Sequence, residues 1–154
     1  MSQLIERLKS EFEGAGLLLD DQIGERYAAD WSEMAAEKPI AVMRPNSTEQ
    51  LAKMLVICNE LAQPVVIQGG MTGLAGAATP FNGEVALTLE RMSGVEEIDP
   101  DSMTMTVLAG TPLQEAQERA RAAGLYLPLD LGARGSCTIG GNVANNSGGP
   151  HCLA

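Results

Sequence analysis

Pro64-Val65-Val66-Ile67-Gln68-Gly69-Gly70-Met71-Thr72-Gly73-Leu74 is the stretch on which the reading of this chain turns. Its opening residues are β-branched and read as a strand. The rest is a glycine-rich loop that runs on to Gly76. Glycine lets a backbone come close to a ligand and turn successive N–H groups toward one point, a way to bind phosphate without cationic side chains. Upstream, Pro39-Ile40-Ala41-Val42-Met43-Arg44 reads as a short strand, and Ser47-Thr48-Glu49-Gln50 as a capping box. The helix it starts carries Leu51, Met54, Leu55, Cys58, Leu61 and Ala62 on one face. Strand, helix and strand form a β-α-β unit, expected to close as a parallel pair.

Working outward, Ser2 is placed to cap an opening helix with Leu4, Ile5, Leu8 and Phe12 at helical spacing, ended by Gly14 and Gly16. Residues 20–38 are polar and irregular, with Tyr27, Asp30 and Trp31 as the expected contacts to the rest. Beyond the loop, residues 85–89 and 103–107 read as strands, with turn chemistry at Asp99-Pro100-Asp101-Ser102 between them. Thr111-Pro112-Leu113-Gln114 reads as a second capping box opening a helix through Ala123, which Gly124 stops. Residues 125–129 are expected to return as a strand. They lead into a second glycine-rich run, Gly135-Ser136-Cys137-Thr138-Ile139-Gly140-Gly141-Asn142-Val143-Ala144-Asn145-Asn146-Ser147-Gly148-Gly149.

Neither loop fits the familiar nucleotide signatures. The dinucleotide fingerprint needs Gly-x-Gly-x-x-Gly opening a helix, whereas here Gly69-Gly70-x-x-Gly73 leads into Ala77-Ala78-Thr79-Pro80-Phe81, which is no helix. No Lys-Ser/Thr follows to make a Walker loop. An ordinary glycine turn accounts for either loop alone; two loops, each dense in Gly, Thr, Ser and Asn, are harder to explain that way.

Composition excludes several function classes. Lys+Arg 10 against Asp+Glu 20 gives a formal charge of -10, so there is no basic surface for nucleic acid. An anionic cofactor would therefore have to be held by oriented amides. The 45% hydrophobic content supports a core, and the 154 residues suit one domain better than two at roughly 150 residues per domain. Cys58, Cys137 and Cys152 are odd in number and widely spaced, and His151 is the single histidine, which argues against a disulfide framework or a metal site. Unpaired thiols suggest the cytoplasm. No transmembrane run or signal core is visible.

Three stretches in this order resemble the vanillyl-alcohol-oxidase-type (PCMH-type) FAD-binding flavoproteins: residues 64–74, Leu87-Thr88-Leu89-Glu90-Arg91-Met92, and Pro128-Leu129-Asp130-Leu131-Gly132-Ala133-Arg134 running on to Asn142. The chain is most similar to the D-2-hydroxyacid dehydrogenase branch, which includes D-lactate and D-2-hydroxyglutarate dehydrogenases and the glycolate oxidase FAD subunit. The resemblance runs from about Tyr27 to the end. It implies an α+β fold, with a small β-α-β subdomain and a second mixed sheet, FAD lying between them. By similarity, the amides of Gly69, Gly70, Met71, Thr72, Gly73 and Leu74 would cradle the FAD diphosphate, the Thr72 hydroxyl adding a donor. Gly135, Ser136, Cys137, Thr138, Gly140, Gly141 and Asn142 would pass along the flavin and its phosphates, with Asn145 and Asn146 close by. Flavoproteins of this kind that bond the flavin covalently carry histidine where Met71 stands, so the FAD is expected to be noncovalent.

The implied organisation is residues 1–36 as an N-terminal helix and irregular segment and 37–154 as the FAD-binding domain, divided into 37–77 and a partial second subdomain, 78–154. The reaction implied is hydride transfer from C2 of a D-2-hydroxyacid to FAD, giving a 2-oxoacid. Members of this family are longer, so the chain reads as an N-terminal fragment, inactive alone, and no catalytic or metal residue is assigned. Alternatives are a non-catalytic FAD-binding subunit completed by another polypeptide, or a degenerate fragment; a partner subunit or a homo-oligomer is left open. Arg91 and Arg134 are candidate anion partners or salt-bridged arginines, Asp130 a cofactor-lining carboxylate or a turn cap, and Cys58 a core residue.

Overall fold

The computed structural model describes residues 3–12 and 14–150, so Ser2, His151 and Cys152 lie outside the described residues. Contacts divide the chain into two compact units, Met1–Arg91 and Met92–Ala154.

The first unit is built on a four-stranded sheet in the order β1-β2-β4-β3, formed by β1 (Leu17–Leu18), β2 (Val42–Met43), β3 (Val65–Gln68) and β4 (Val85–Thr88). Strand β1 is antiparallel to β2, while β2 and β3 each run parallel to β4, with Met43 opposite Leu87 and Gln68 opposite Thr88. The expected β2–β3 pair is thus corrected: β4 lies between them, and it belongs to this sheet rather than to the later subdomain. The reason is apolarity on both faces. Every residue of Val85-Ala86-Leu87-Thr88 is buried, the pattern of a central strand, whereas β3 at the edge leaves Ile67 exposed.

The two faces of the sheet are covered differently. One packs on α1 (Gln3–Glu11) and α2 (Thr48–Glu60), where Leu4, Leu8, Phe12, Met54, Ile57 and Cys58 close over Met43, Val85 and Leu87. The other is covered by Ile23 and Tyr27 of the irregular segment, packed on Val42, Val66 and Ala86. The N-terminal residues are therefore part of this core. Helix α2 is capped as expected by Ser47, whose side chain accepts from the Gln50 N–H, but Gln50 turns back onto Asn46 rather than Ser47. Its buried face is Met54, Ile57 and Cys58; Leu55 points outward.

The second unit has an antiparallel pair, β5 (Val95–Asp99) and β6 (Thr104–Val107), followed by α3 (Leu113–Ala122) and a short α4 (Ile139–Ala144). Strand β5 was not expected, because Val95-Glu96-Glu97-Ile98-Asp99 carries acidic residues in its middle and has one mostly wet face. The turn after it is as read: Asp99 Oδ1 accepts from the N–H groups of Asp101 and Ser102. Two expectations fail. Thr111 does not cap α3; its buried hydroxyl donates to Leu108 O at 2.6 Å and accepts from the Gly94 N–H, tying the helix entry to β5. Residues 125–129 form no strand. Leu125 closes the end of α3 by donating to Ala120 O, and Leu129 O accepts from Gln117 Nε2 at 2.6 Å, which leaves no ladder to join.

Candidate functional site

The first glycine loop leaves the sheet at the carboxyl ends of parallel strands β2, β4 and β3, the edge where open α/β sheets place their ligands. Among the described residues, no main-chain N–H of residues 69–77 meets an acceptor. Folded proteins leave few backbone donors unpaired unless water or a ligand takes them. Gly69, Gly73 and Leu74 are exposed, so these donors are open to a ligand. Met71 adopts φ +57°, the left-handed region that turns consecutive amides toward a common side. Such a donor set is neutral and rich in N–H, which fits the diphosphate of a dinucleotide cofactor and suits a chain this acidic.

Two buried side chains hold the flanks of this loop, and sequence reading assigned neither to the site. Gln68, the last residue of β3, donates to Tyr27 O and Ala78 O. Asp30 accepts from Ser32 and Ala78 N–H groups, and its own N–H donates to Thr79 Oγ1. Burial pushes the Asp30 carboxyl upward, but the hydrogen bonds from Ser32, Ala78 and Thr79 outweigh it and hold the group below the usual carboxylate value. The signal available was a polar residue ending an apolar strand and an aspartate among residues without helical or strand pattern. Trp31, expected as a contact, donates its N–H to Gly73 O, but its indole is exposed.

The same sheet edge carries a charged cluster. Glu90 is paired with both Arg44 and Arg26 and accepts from the Tyr27 hydroxyl at 2.8 Å. Arg91 donates to Arg44 O, which makes it a structural tie rather than a free cation.

The second glycine run is organised in the opposite way. Its middle is not a loop but α4, capped by Thr138, whose hydroxyl accepts from the Gly141 N–H. The N–H groups of Ser136 and Cys137 go to Ala133 O, Ile139 to Thr111 O, Gly140 to Ala109 O and Asn142 to Thr138 O. A Cβ at Gly140 would sit 2.8 Å from both Ala109 Cβ and Ala109 O, so glycine there is demanded by packing. Cys137, Thr138 and Asn142 are buried, with Asn142 Nδ2 facing Cys137 Sγ at 3.6 Å. Gly135, Ser136 and Asn145 remain exposed. Asn146 and Val143 border a shallow groove of about 310 Å³ with Leu129 and Ile139. Arg134 pairs with Asp130 at 3.2 Å, and Cys58 is a buried thiol that burial pushes up in pKa. Among the described residues there is no His/Cys/Asp/Glu group able to hold a metal ion, and no helix is long and apolar enough to cross a membrane.

Residues 39–154 match the FAD binding domain family. D-2-hydroxyglutarate dehydrogenase from Xanthomonas citri pv. viticola is 39% identical over 149 residues, which are 97% of this chain and 30% of the relative. The mitochondrial D-2-hydroxyglutarate dehydrogenase of Danio rerio is 38% identical over 88% of this chain and 26% of its own length. The chain thus spans under a third of these relatives. Among solved structures, an alkyldihydroxyacetonephosphate synthase superposes with a TM-score of 0.81 at 20% identity, over 92% of this chain and 31% of the synthase, a likeness of fold.

Proposed function

The chain belongs to the FAD-binding domain family, with FAD as its cofactor, and on that premise we propose that it is the FAD-binding portion of a dehydrogenase oxidising a D-2-hydroxyacid to a 2-oxoacid. The observation that carries the proposal is the run of unpaired amides at residues 69–77. In this reading the N–H groups of Gly69, Gly70, Met71, Thr72, Gly73 and Leu74, with the Thr72 hydroxyl, take the diphosphate oxygens. The dipoles lower the diphosphate's charge energy without adding a cation. Bound FAD supplies the hydride acceptor for the C2–H of the substrate. Gly135, Ser136 and Asn145 are the exposed members of the second run and the ones proposed to touch the cofactor, while Cys137, Thr138, Gly140, Gly141 and Asn142 shape the backbone that presents them.

The substrate class rests on the identity to D-2-hydroxyglutarate dehydrogenases, which favours a hydroxyacid with a second carboxylate. Met71 in place of histidine favours a noncovalent cofactor. We propose further that the 154 residues bind FAD without turnover. The test is titration of the chain with FAD, followed by quenching of flavin fluorescence, with ADP as competitor and D-2-hydroxyglutarate with an artificial electron acceptor in an activity assay. Saturable binding that ADP displaces, with no reduction of the acceptor, is the expected result. Absence of binding, or binding indifferent to ADP and to Thr72→Ala, would sink the diphosphate assignment.

A further inference from the structure

We infer that Asp30 and Gln68 are positioning residues for the diphosphate site, holding both flanks of residues 69–77 so that the amides between them stay open and ordered. The inference rests on the FAD reading for the identity of the ligand. It goes beyond that reading in assigning what sets the loop's shape.

A segment whose N–H groups have no internal partners lacks the ladder that normally fixes a backbone, and ordering it costs about 1–2 kcal/mol per residue. Something outside the segment must supply the constraint. Gln68 and Asp30 are 1% and 8% exposed, and their contacts converge on the loop's two ends. Gln68 Nε2 donates to Tyr27 O at 2.9 Å and to Ala78 O at 3.0 Å, joining the strand end, the irregular segment and the loop exit. Asp30 accepts from Ser32 N–H at 3.0 Å and from Ala78 N–H at 3.4 Å, so Ala78 is gripped through both its carbonyl and its amide. The Asp30 N–H donates to Thr79 Oγ1 at 3.0 Å, and the next N–H, that of Trp31, donates to Gly73 O at 3.0 Å. These ties use carbonyls within the loop, or groups beyond it. None occupies an N–H of residues 69–77.

A second observation separates this role from ordinary core packing. Gln68 Oε1 is buried with no partner among the described residues. A buried acceptor left unpaired is unfavourable, and so is a carbonyl that loses its donor. Methionine at position 68 would remove the orphan together with the two donated bonds. Tyr27 O and Ala78 O are then left without that donor, so Gln68→Met destabilises the fold under either role. Only a positioning role also weakens ligand binding beyond that of a similarly destabilised core variant.

The experiment uses the whole chain and compares it with Gln68→Met, Asp30→Asn and Val85→Ala, the last a truncation in the helix-covered core opposite Val65, at the end of β3 away from the loop. Asparagine at position 30 turns an amide NH₂ toward one of the two N–H donors and so loses a tie. Expected are FAD and ADP affinities weakened about tenfold or more in the first two variants, through lost preorganisation. Ligand-free Gln68→Met should unfold earlier than the parent, to an extent comparable with Val85→Ala, because two carbonyls lose their donor. Val85→Ala should unfold earlier and bind FAD as the parent does. Parent-like FAD affinity in both Gln68→Met and Asp30→Asn, or an equal loss in Val85→Ala, would overturn the inference. If the parent chain itself ignores FAD, the FAD reading fails first, and backbone ¹⁵N relaxation of the ligand-free protein decides the positioning role. Residues 69–77 should then be ordered in the parent and mobile in Gln68→Met, and unchanged relaxation overturns it.

Discussion

Residues 69–77 and 135–149 are alike in composition, both rich in Gly with Thr, Ser or Asn, yet their main-chain donors go to opposite ends. In the first run the N–H groups find no acceptor among the described residues, and the chain is held from its flanks. In the second, the N–H groups of Ser136, Cys137, Ile139, Gly140, Gly141 and Asn142 are all committed to carbonyls or a hydroxyl of the same unit. Glycine serves ligand approach in one and close backbone packing in the other. Composition alone does not distinguish these uses; the destination of each N–H does.

The sharpest way to break this comparison is to add one methyl group to each run. Gly140→Ala should have the larger effect, because the new Cβ would lie 2.8 Å from Ala109 Cβ and from its carbonyl oxygen. Backbone cannot yield cheaply, so a loss of about 2–3 kcal/mol in unfolding free energy is expected, read by urea denaturation. If Gly140→Ala unfolds at the parental urea midpoint, the second run is not the packed element described here. Gly73→Ala is the counterpart: its Cβ would meet Asp30 Oδ2 at 3.5 Å, ordinary contact, so the fold should be kept. The added methyl stands among the open amides, and FAD affinity should fall about tenfold, equivalent to about 1.4 kcal/mol. Unchanged FAD affinity in Gly73→Ala would erase the difference between the loops.

Much of the first unit was legible because its signals are local and agree with one another. The β-branched residues before Gly69, the Ser47 cap and the apolar face of α2 all specify elements that the structure contains. Strand order was not legible, since nothing in residues 39–67 says that a strand from 85–88 will insert between β2 and β3. The second unit misled for a related reason. Thr111 has the sequence of a cap but is drawn into bonds with Gly94 and Leu108, and β5 hides its strand character behind Glu96 and Glu97. The site was half visible: the glycines of the first loop announce themselves, whereas Gln68 and Asp30 act through contacts with Tyr27, Ala78 and Thr79 that no spacing predicts.

The flanking ties give the first loop a pH dependence through Asp30. Asp30 is held below the ordinary carboxylate value of 3.8 in the folded chain. A depressed carboxyl contributes stability that is complete above its unfolded pKa and is lost as the pH falls through the folded one. The order of residues 69–77, followed by amide resonances, should therefore persist to about pH 4 and decay below it. Asp30→Asn should remove that acid limb. A loop whose order is indifferent to pH between 5 and 2.5 (both about, within the range where carboxyls titrate) would show that Asp30 does not grip it.

The smallest expected effect comes from Met71, which holds φ +57° in the open loop. A non-glycine residue there is strained by about 1 kcal/mol, and Met71→Gly relieves it. Glycine also gains freedom in the unfolded chain, which offsets most of that relief, so the unfolding midpoint of the ligand-free protein should move by only about 1–2 °C. Affinity for FAD should change little as well, because the N–H of residue 71 keeps its direction. A large gain in stability would mean that the loop stores strain in its ligand-free form. A large loss of affinity would mean that the Met71 side chain, and not only its amide, takes part in holding the cofactor.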